Sequence, residues 1–315
     1  MAGMAAPYHD WPKAELHLHL EGSVGPDTLR ELAPELAAET VERIYGFTGF
    51  AEFLLAFGEV VKRLRTPEDY ALVTRRLLDR LESENVRYAE VILSAGVVLW
   101  KKQEFGPVFD AVAEAAAGRA VQVRWIVDAV RHFGVEHAMA VAELAAERVG
   151  RGVIAYGIGG DEQRGPAGWF SGVYRFAREA GLRLTAHAGE SAGPESIWAA
   201  LELGAERIGH GIRAVEDPVL VQHLRDHDIP LEISITSNLA TGVVADLESH
   251  PVRRLYDAGV PITLNTDDPG MFRTTLSREY ALAERHFGFT AEELRGVARN
   301  GFRYGFAASA HPAIP

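Results

Sequence analysis

The 315-residue chain has no cysteine, which excludes disulfides and every thiolate metal site. Long apolar runs are also missing. No stretch reaches the ~18 residues that would span a bilayer, and no basic segment leads into an apolar one at the N-terminus. Basic residues are in short supply: 32 Lys and Arg stand against 44 Asp and Glu, a formal charge of -12. That balance argues against nucleic acid or an anionic membrane as the partner, since both select basic surfaces. Lysine is scarcest, occurring only at Lys13, Lys62, Lys101 and Lys102. The expectation is a soluble, cytoplasmic protein acting on a small molecule.

Against these absences, 47% of the residues are hydrophobic, ample for a large core. Pro12-Lys13-Ala14-Glu15-Leu16-His17-Leu18-His19-Leu20-Glu21-Gly22-Ser23 alternates leucine with histidine. In an extended strand this sends both imidazoles to one face, where neutral imidazole suits a divalent metal. A solvated edge strand would read the same way. Further strands are expected at Arg87–Ser94, Val121–Val130, Gly152–Gly160, Arg183–Glu190, Arg207–Gly211, Leu231–Ser237 and Pro261–Asp268, with helical segments between them. The region from about 25 to 85 reads as a helical insertion after the first strand, with Asp27 as an N-cap and a second N-cap at Thr66 ahead of Pro67. The pattern predicts an α/β fold, a single (β/α)8 TIM barrel spanning residues 1–315. An open doubly wound sheet is the alternative, but no glycine-rich fingerprint follows the first strand.

A barrel of this kind carries its active site at the C-terminal ends of the strands, and the polar residues collect there. Strand one offers His17 and His19, strand five His187 and Glu190, strand six His210, and strand eight Asp267 and Asp268; three histidines and one aspartate among them make a sensible zinc shell with an open position for water. Glu190, three residues past His187, suits proton transfer, and His210 suits stabilising a hydroxide and a developing alkoxide. Singly, each has a bland reading. Asp267 and Asp268 could cap the loop before Pro269, His210 could be a core histidine, and Glu190 could serve a helix N-terminus.

The motifs around His17 and His19, His187-Ala188-Gly189-Glu190, Gly209-His210-Gly211, Thr236-Ser237-Asn238 and Asn265-Thr266-Asp267-Asp268-Pro269 resemble, in order, those of the adenosine deaminase family. The resemblance implies one zinc per chain on His17, His19, His187 and Asp267. It implies that Glu190 protonates purine N1, His210 orients the attacking hydroxide, Asp268 bonds N7 and the Gly160 N–H meets N3. The reaction implied is hydrolytic deamination at C6 of an aminopurine. With no lysine between Lys102 and the C-terminus, a second metal bridged by a carboxylated lysine on strand four is excluded.

Several positions depart from adenosine deaminases. Ser94-Ala95-Gly96 stands where Arg-x-Ser-Pro is usual, Ser234-Ile235-Thr236 where Cys-Pro is usual, and Glu21 where an aspartate meets the nucleoside 5′-hydroxyl. These variants resemble the branch acting on 6-amino-6-deoxyfutalosine, a menaquinone precursor with a carboxyphenyl-ketone extension at C5′. Such a carboxylate would need an apolar wall and a cation. Phe53 and Phe57 offer the wall; Lys62, Arg63, Arg65, Lys101 and Lys102 offer cations, unless they are solvated surface. Adenosine deaminase and adenine deaminase are the next readings, and a purine-binding protein without turnover is the non-enzymatic one.

Overall fold

A computed structural model describes residues 8–307. Eight parallel strands follow one another in chain order: β1 Lys13–His19, β2 Val86–Leu93, β3 Gln122–Val130, β4 Val153–Gly159, β5 Arg183–Ala188, β6 Arg207–His210, β7 Leu231–Ile233 and β8 Ile262–Leu264. Helices alternate with them, making the (β/α)8 barrel that the strand count predicts. Both faces of the strands are covered, one by helices and one by the barrel interior, so the polar side chains they carry are largely buried.

The seam between β1 and β8 is closed largely by side chains. Asn265 Oδ1 accepts from the backbone N–H groups of Leu16 (2.9 Å) and His17 (3.1 Å). From the other side, Glu15 accepts from the Thr266 backbone and hydroxyl at 2.9 and 2.5 Å. A parallel bridge between Leu18 and Asp267 completes the seam, with His19 N–H donating to Asp267 O and Asp267 N–H to His17 O. The closing bonds therefore run through three of the four expected metal ligands.

The barrel axis is charged. Arg207 is fully buried between Glu90 (2.5 Å) and Glu232 (2.6 Å), and its face packs 3.7 Å from the centre of the Phe306 ring. A buried guanidinium needs such partners to offset its desolvation. The preceding helix, Ala291–Tyr304, lies against β1 and β8. It was not foreseen from the sequence.

Three boundaries differ from expectation. The first insertion helix is Pro26–Leu32, capped at Gly25 with proline in its first turn, rather than starting from an Asp27 cap. The helix Pro67–Ser83 has the expected Thr66 capping box, but it packs on β2 and on the helix Phe105–Ala116. It is therefore the barrel's own first helix, and the inserted segment ends before it. The expected seventh strand stops at Ile233, and Thr236, Ser237 and Asn238 lie on the short helix Ile235–Ala240. Glu279, from the distant helix Leu276–Phe287, accepts from Thr236 N–H and its hydroxyl at 3.1 and 2.5 Å. That long-range cap satisfies an end the local sequence leaves open.

Among the described residues, no helix is long and apolar enough to cross a membrane. Asn265→Ala would leave two buried β1 N–H groups without their acceptor, each worth about 1–3 kcal/mol. A loss of at least ~2 kcal/mol in unfolding free energy is expected from denaturant titration, and a loss below ~0.5 kcal/mol would show that the seam does not depend on Asn265.

Candidate metal and active site

His17 and His19 leave the end of β1 with the buried Leu18 between them on the other face. The ladder between β4 and β5 pairs only Ala155 with Arg183 and Tyr156 with Leu184, so the strand ends beyond it diverge and free backbone carbonyls. Ile158 O is one of them, and His187 Nδ1 donates to it at 3.1 Å. His17 Nδ1 is likewise held by Glu232 at 2.8 Å. With Nδ1 committed in both rings, the Nε2 atoms are left as metal-facing lone pairs.

Those lone pairs converge. His19 Nε2 and His187 Nε2 are 3.1 Å apart, and Asp267 Oδ1 lies 3.3 Å from Nε2 of both His17 and His19. Metal–nitrogen bonds of about 2.0–2.1 Å in a tetrahedron place ligand atoms about 3.3–3.4 Å apart, close to the spacing found. His17 Nε2 is buried without a hydrogen-bond partner, which is how a ligand atom awaiting its ion presents itself. His17, His19, His187 and Asp267 thus form a site for a divalent metal. Burial would raise the Asp267 carboxyl, but the His17 ring beside it, with His210 and His19, holds it well below the usual range. Ser237 donates to its other oxygen at 2.6 Å.

Asp267 and His210 have φ of +62° and +60°, left-handed backbone that non-glycine residues adopt at a cost of about 1–3 kcal/mol. In both the turn aims the side chain at the metal ligands: His210 Nε2 lies 3.8 Å from Glu190 and 3.9 Å from Asp267. A relay fixes its tautomer. The Val252 backbone can only donate, so His250 Nδ1 accepts (3.2 Å) and its Nε2–H donates to Asn238 Oδ1 (3.2 Å). The Asn238 amide then donates to His210 Nδ1 at 3.0 Å, leaving the proton on Nε2, facing the site. Burial holds His210 down at about 4, so it acts there as a neutral donor.

Glu190 is buried, and desolvation, with the charges of Asp267 and Glu162, pushes its carboxyl well above the normal range. That favours its protonated form, the form that can give a proton to a ligand. Its loop is moored by Glu162, which accepts from the backbone N–H groups of Gly189, Glu190 and Ser191 at 2.9, 2.9 and 2.8 Å. Asp268 is also buried, raised by desolvation and by Asp267, and its Oδ1 has no partner. A Cβ on Gly22 would fall 1.6 Å from that oxygen, so only glycine lets Asp268 lie there.

These groups line a cavity of about 310 Å³. Its polar end holds His19, His187, Glu190, His210, Asp267, Asp268 and the Gly159–Gly160 turn. Its other end is apolar, built by Phe50, Phe53, Leu54 and Phe57 of the insertion helix Gly49–Val61 together with Trp100 and Phe133. Phe53 is anchored on Phe272, 5.1 Å between ring centres, just past the Asp268 loop.

Among the described residues, no lysine or arginine lines the cavity, and the expected cations are engaged or exposed elsewhere. Arg63 and Lys62 both pair with Glu59, at 2.9 and 2.6 Å, because i,i+4 and i,i+3 spacing puts that carboxylate within reach. Arg65 pairs with Glu35 at 3.3 Å. Lys101 folds back onto the Leu64 carbonyl, and Lys102 is exposed. Glu21 is buried behind the wall, where it accepts from Ser94 N–H at 3.2 Å, and it does not line the cavity either. Asn238 and Glu162 belong to motifs around the site without having been given a role, and Glu232, His250 and Asp128 belong to the site or its support without having been singled out. Glu232 was legible as the lone acid in a short apolar strand; His250 and Asp128 gave no local signal.

Fold and site together define a metal-site barrel hydrolase of the deaminase type. The family model for adenosine deaminase matches residues 12–312, and the chain belongs to that family. It is 38% identical over 316 residues to an aminodeoxyfutalosine deaminase of Streptomyces avermitilis, covering 96% of this chain and 88% of the relative. It is 38% identical over 303 residues to an adenine deaminase of Rhizobium johnstonii, covering 93% and 94%. A solved amidohydrolase from Burkholderia ambifaria with bound zinc superposes with a TM-score of 0.86 at 26% identity, covering 98% and 90%.

The relay yields a test. Asn238→Asp replaces the amide by a carboxylate that can only accept, which moves the His210 proton to Nδ1. We expect turnover to fall by about 10²–10⁴ with bound metal unchanged, the scale of a wrong-tautomer histidine. Turnover within about threefold of the parent would mean His210 does not act through an Nε2 proton.

Proposed function

We propose that the chain is a zinc-dependent hydrolase that removes the amino group at C6 of an aminopurine nucleoside carrying a large 5′ substituent, with 6-amino-6-deoxyfutalosine as the preferred substrate. The observation that carries this reading is the two-ended cavity. Its polar end offers donors and acceptors enough for a purine, and its aromatic end would stand empty around a bare base.

One zinc on His17, His19, His187 and Asp267 would lower the pKa of a bound water toward about 7 and so supply the nucleophile. The protein groups divide the remaining work. Glu190, protonated, donates to purine N1 and so makes C6 more electrophilic. His210 Nε2–H stabilises negative charge developing on the attacking oxygen, and being neutral it does so without giving up its proton. Asp268, whose surroundings favour its protonated form, donates to N7, while the Gly160 N–H faces N3. Phe53, Phe57 and Trp100 hold the 5′ substituent, whose binding energy can position the reacting carbon.

With no lysine or arginine in the cavity wall among the described residues, a carboxylate on the substituent would sit toward the open mouth, in water. Adenine deamination is the second reading, favoured by the equal identity to the Rhizobium enzyme, and adenosine deamination the third.

A panel of adenine, adenosine, 5′-methylthioadenosine and aminodeoxyfutalosine, followed by the absorbance change as the amine leaves, tests the assignment. We expect kcat/KM for aminodeoxyfutalosine to exceed that for adenosine at least about tenfold, or roughly 1.4 kcal/mol of transition-state binding. A preference for free adenine would overturn the nucleoside reading and leave the deaminase. Metal analysis should find about one zinc per chain. Glu190→Gln should keep that zinc yet lose at least about a hundredfold in turnover; near-parental turnover would remove Glu190 from the reaction.

A further inference from the structure

Asp128 lies on β3, beside Gly157 in the β4 ladder, and shares its inward face with Val130, two residues on. Both line the cavity. The carboxyl is only 4% exposed, its Oδ1 has no hydrogen-bond partner, and among the described residues no lysine or arginine shares the cavity wall with it. The Ser94 hydroxyl bonds it, while Glu21 nearby adds like charge. A Cβ on Gly159 would lie 3.0 Å from Asp128 Oδ2 and 3.3 Å from the His187 ring, so the absence of a side chain there opens space beside the carboxyl. Buried carboxyls in native proteins are normally partnered. This one is not needed by the metal ligands, by Glu190 or by Asp268.

The order of groups around the barrel says what it would meet. Placed with C6 at the metal ligands, a purine has N1 toward Glu190 after β5, N3 toward Gly160 after β4, and N7 toward Asp268 after β8. The remaining corner, N9, then faces the ends of β3 and β2, where Asp128 and Ser94 stand. The N9 substituent of a ribonucleoside carries its 2′-hydroxyl next to N3. We propose that Asp128 is a specificity-determining residue that hydrogen-bonds the ribose 2′-hydroxyl of the substrate and thereby selects ribonucleosides over 2′-deoxynucleosides. The inference rests on the nucleoside reading above. A site built to bond a substrate hydroxyl rejects the analogue without it, because its own buried polar group is then left unpaired.

The test compares kcat/KM for adenosine, 2′-deoxyadenosine and 3′-deoxyadenosine in the zinc-loaded protein and in Asp128→Ala, with Asp128→Asn as a variant of conserved volume. Zinc content and thermal midpoint report folding in each. We expect the parent to favour adenosine over 2′-deoxyadenosine at least about tenfold, with 3′-deoxyadenosine behaving like adenosine. In Asp128→Ala that ratio should shrink to about threefold or less, through loss on the 2′-hydroxyl substrates. A parent that does not discriminate, discrimination at 3′ instead, or equal losses on all three substrates would each overturn the role. Should the parent deaminate adenine and no nucleoside at all, the nucleoside reading falls first and this inference with it. Nucleoside turnover with equal losses would remove Asp128 alone.

Discussion

The closure of the barrel between β1 and β8 is the constraint on which the rest depends. A parallel sheet of eight strands has two free edges until it is closed, and here the closing bonds come from Asn265, Glu15 and the Leu18–Asp267 bridge. Because His17 and His19 flank Leu18, the same bridge that removes the edges brings two imidazoles against the Asp267 carboxylate. Closure and the metal site are thus one arrangement. The left-handed backbone at Asp267 is tolerated because hydrogen bonds on both sides of it fix the turn.

From that seam two polar chains run in opposite directions, and each sets a protonation state. Below the site, Glu90, Arg207 and Glu232 form a buried string that ends on His17 Nδ1. Beside it, Val252, His250 and Asn238 lead to His210 Nδ1. The first makes an imidazole present a lone pair, and the second makes one present a proton. Residues of the same type, a few ångströms apart, acquire different chemistry from what holds the nitrogen facing away from the site. Burial does the complementary work for the acids. Glu190 and Asp268 are pushed toward the protonated form while Asp267, among histidines, stays ionised.

The cavity joins this charged end to an aromatic one, and the two are built differently. The metal-facing groups sit on strand ends, which the barrel fixes. The aromatic wall comes from an inserted helix held mainly by packing, Phe53 on Phe272 and Phe47 on both. In this chain the reacting end is therefore set by the barrel, and the far end largely by one helix. Similar identity to relatives named for a nucleoside and for a free base fits that division.

The sequence by itself determined the strand count, the strand ends that carry histidine and acid, and the family. Alternation around His17 and His19, and motifs short enough to lie on single turns, are local signals that survive without coordinates. It could not determine what those residues lean on. Nothing local marks Glu162 as the anchor of the Glu190 loop, Glu279 as the cap that turns Thr236–Asn238 into a helix, or His250 as the residue that orients Asn238. Each acts on a partner 12 to 43 residues away. The placement of the cations was hidden for the same reason. Lys62 and Arg63 were near Phe57 in sequence, but helical spacing gave them Glu59, and only the tertiary structure decided which face looked into the cavity. Chain proximity sets which residue types are available, and packing of distant elements sets which of their atoms remain unpaired and so free to do chemistry.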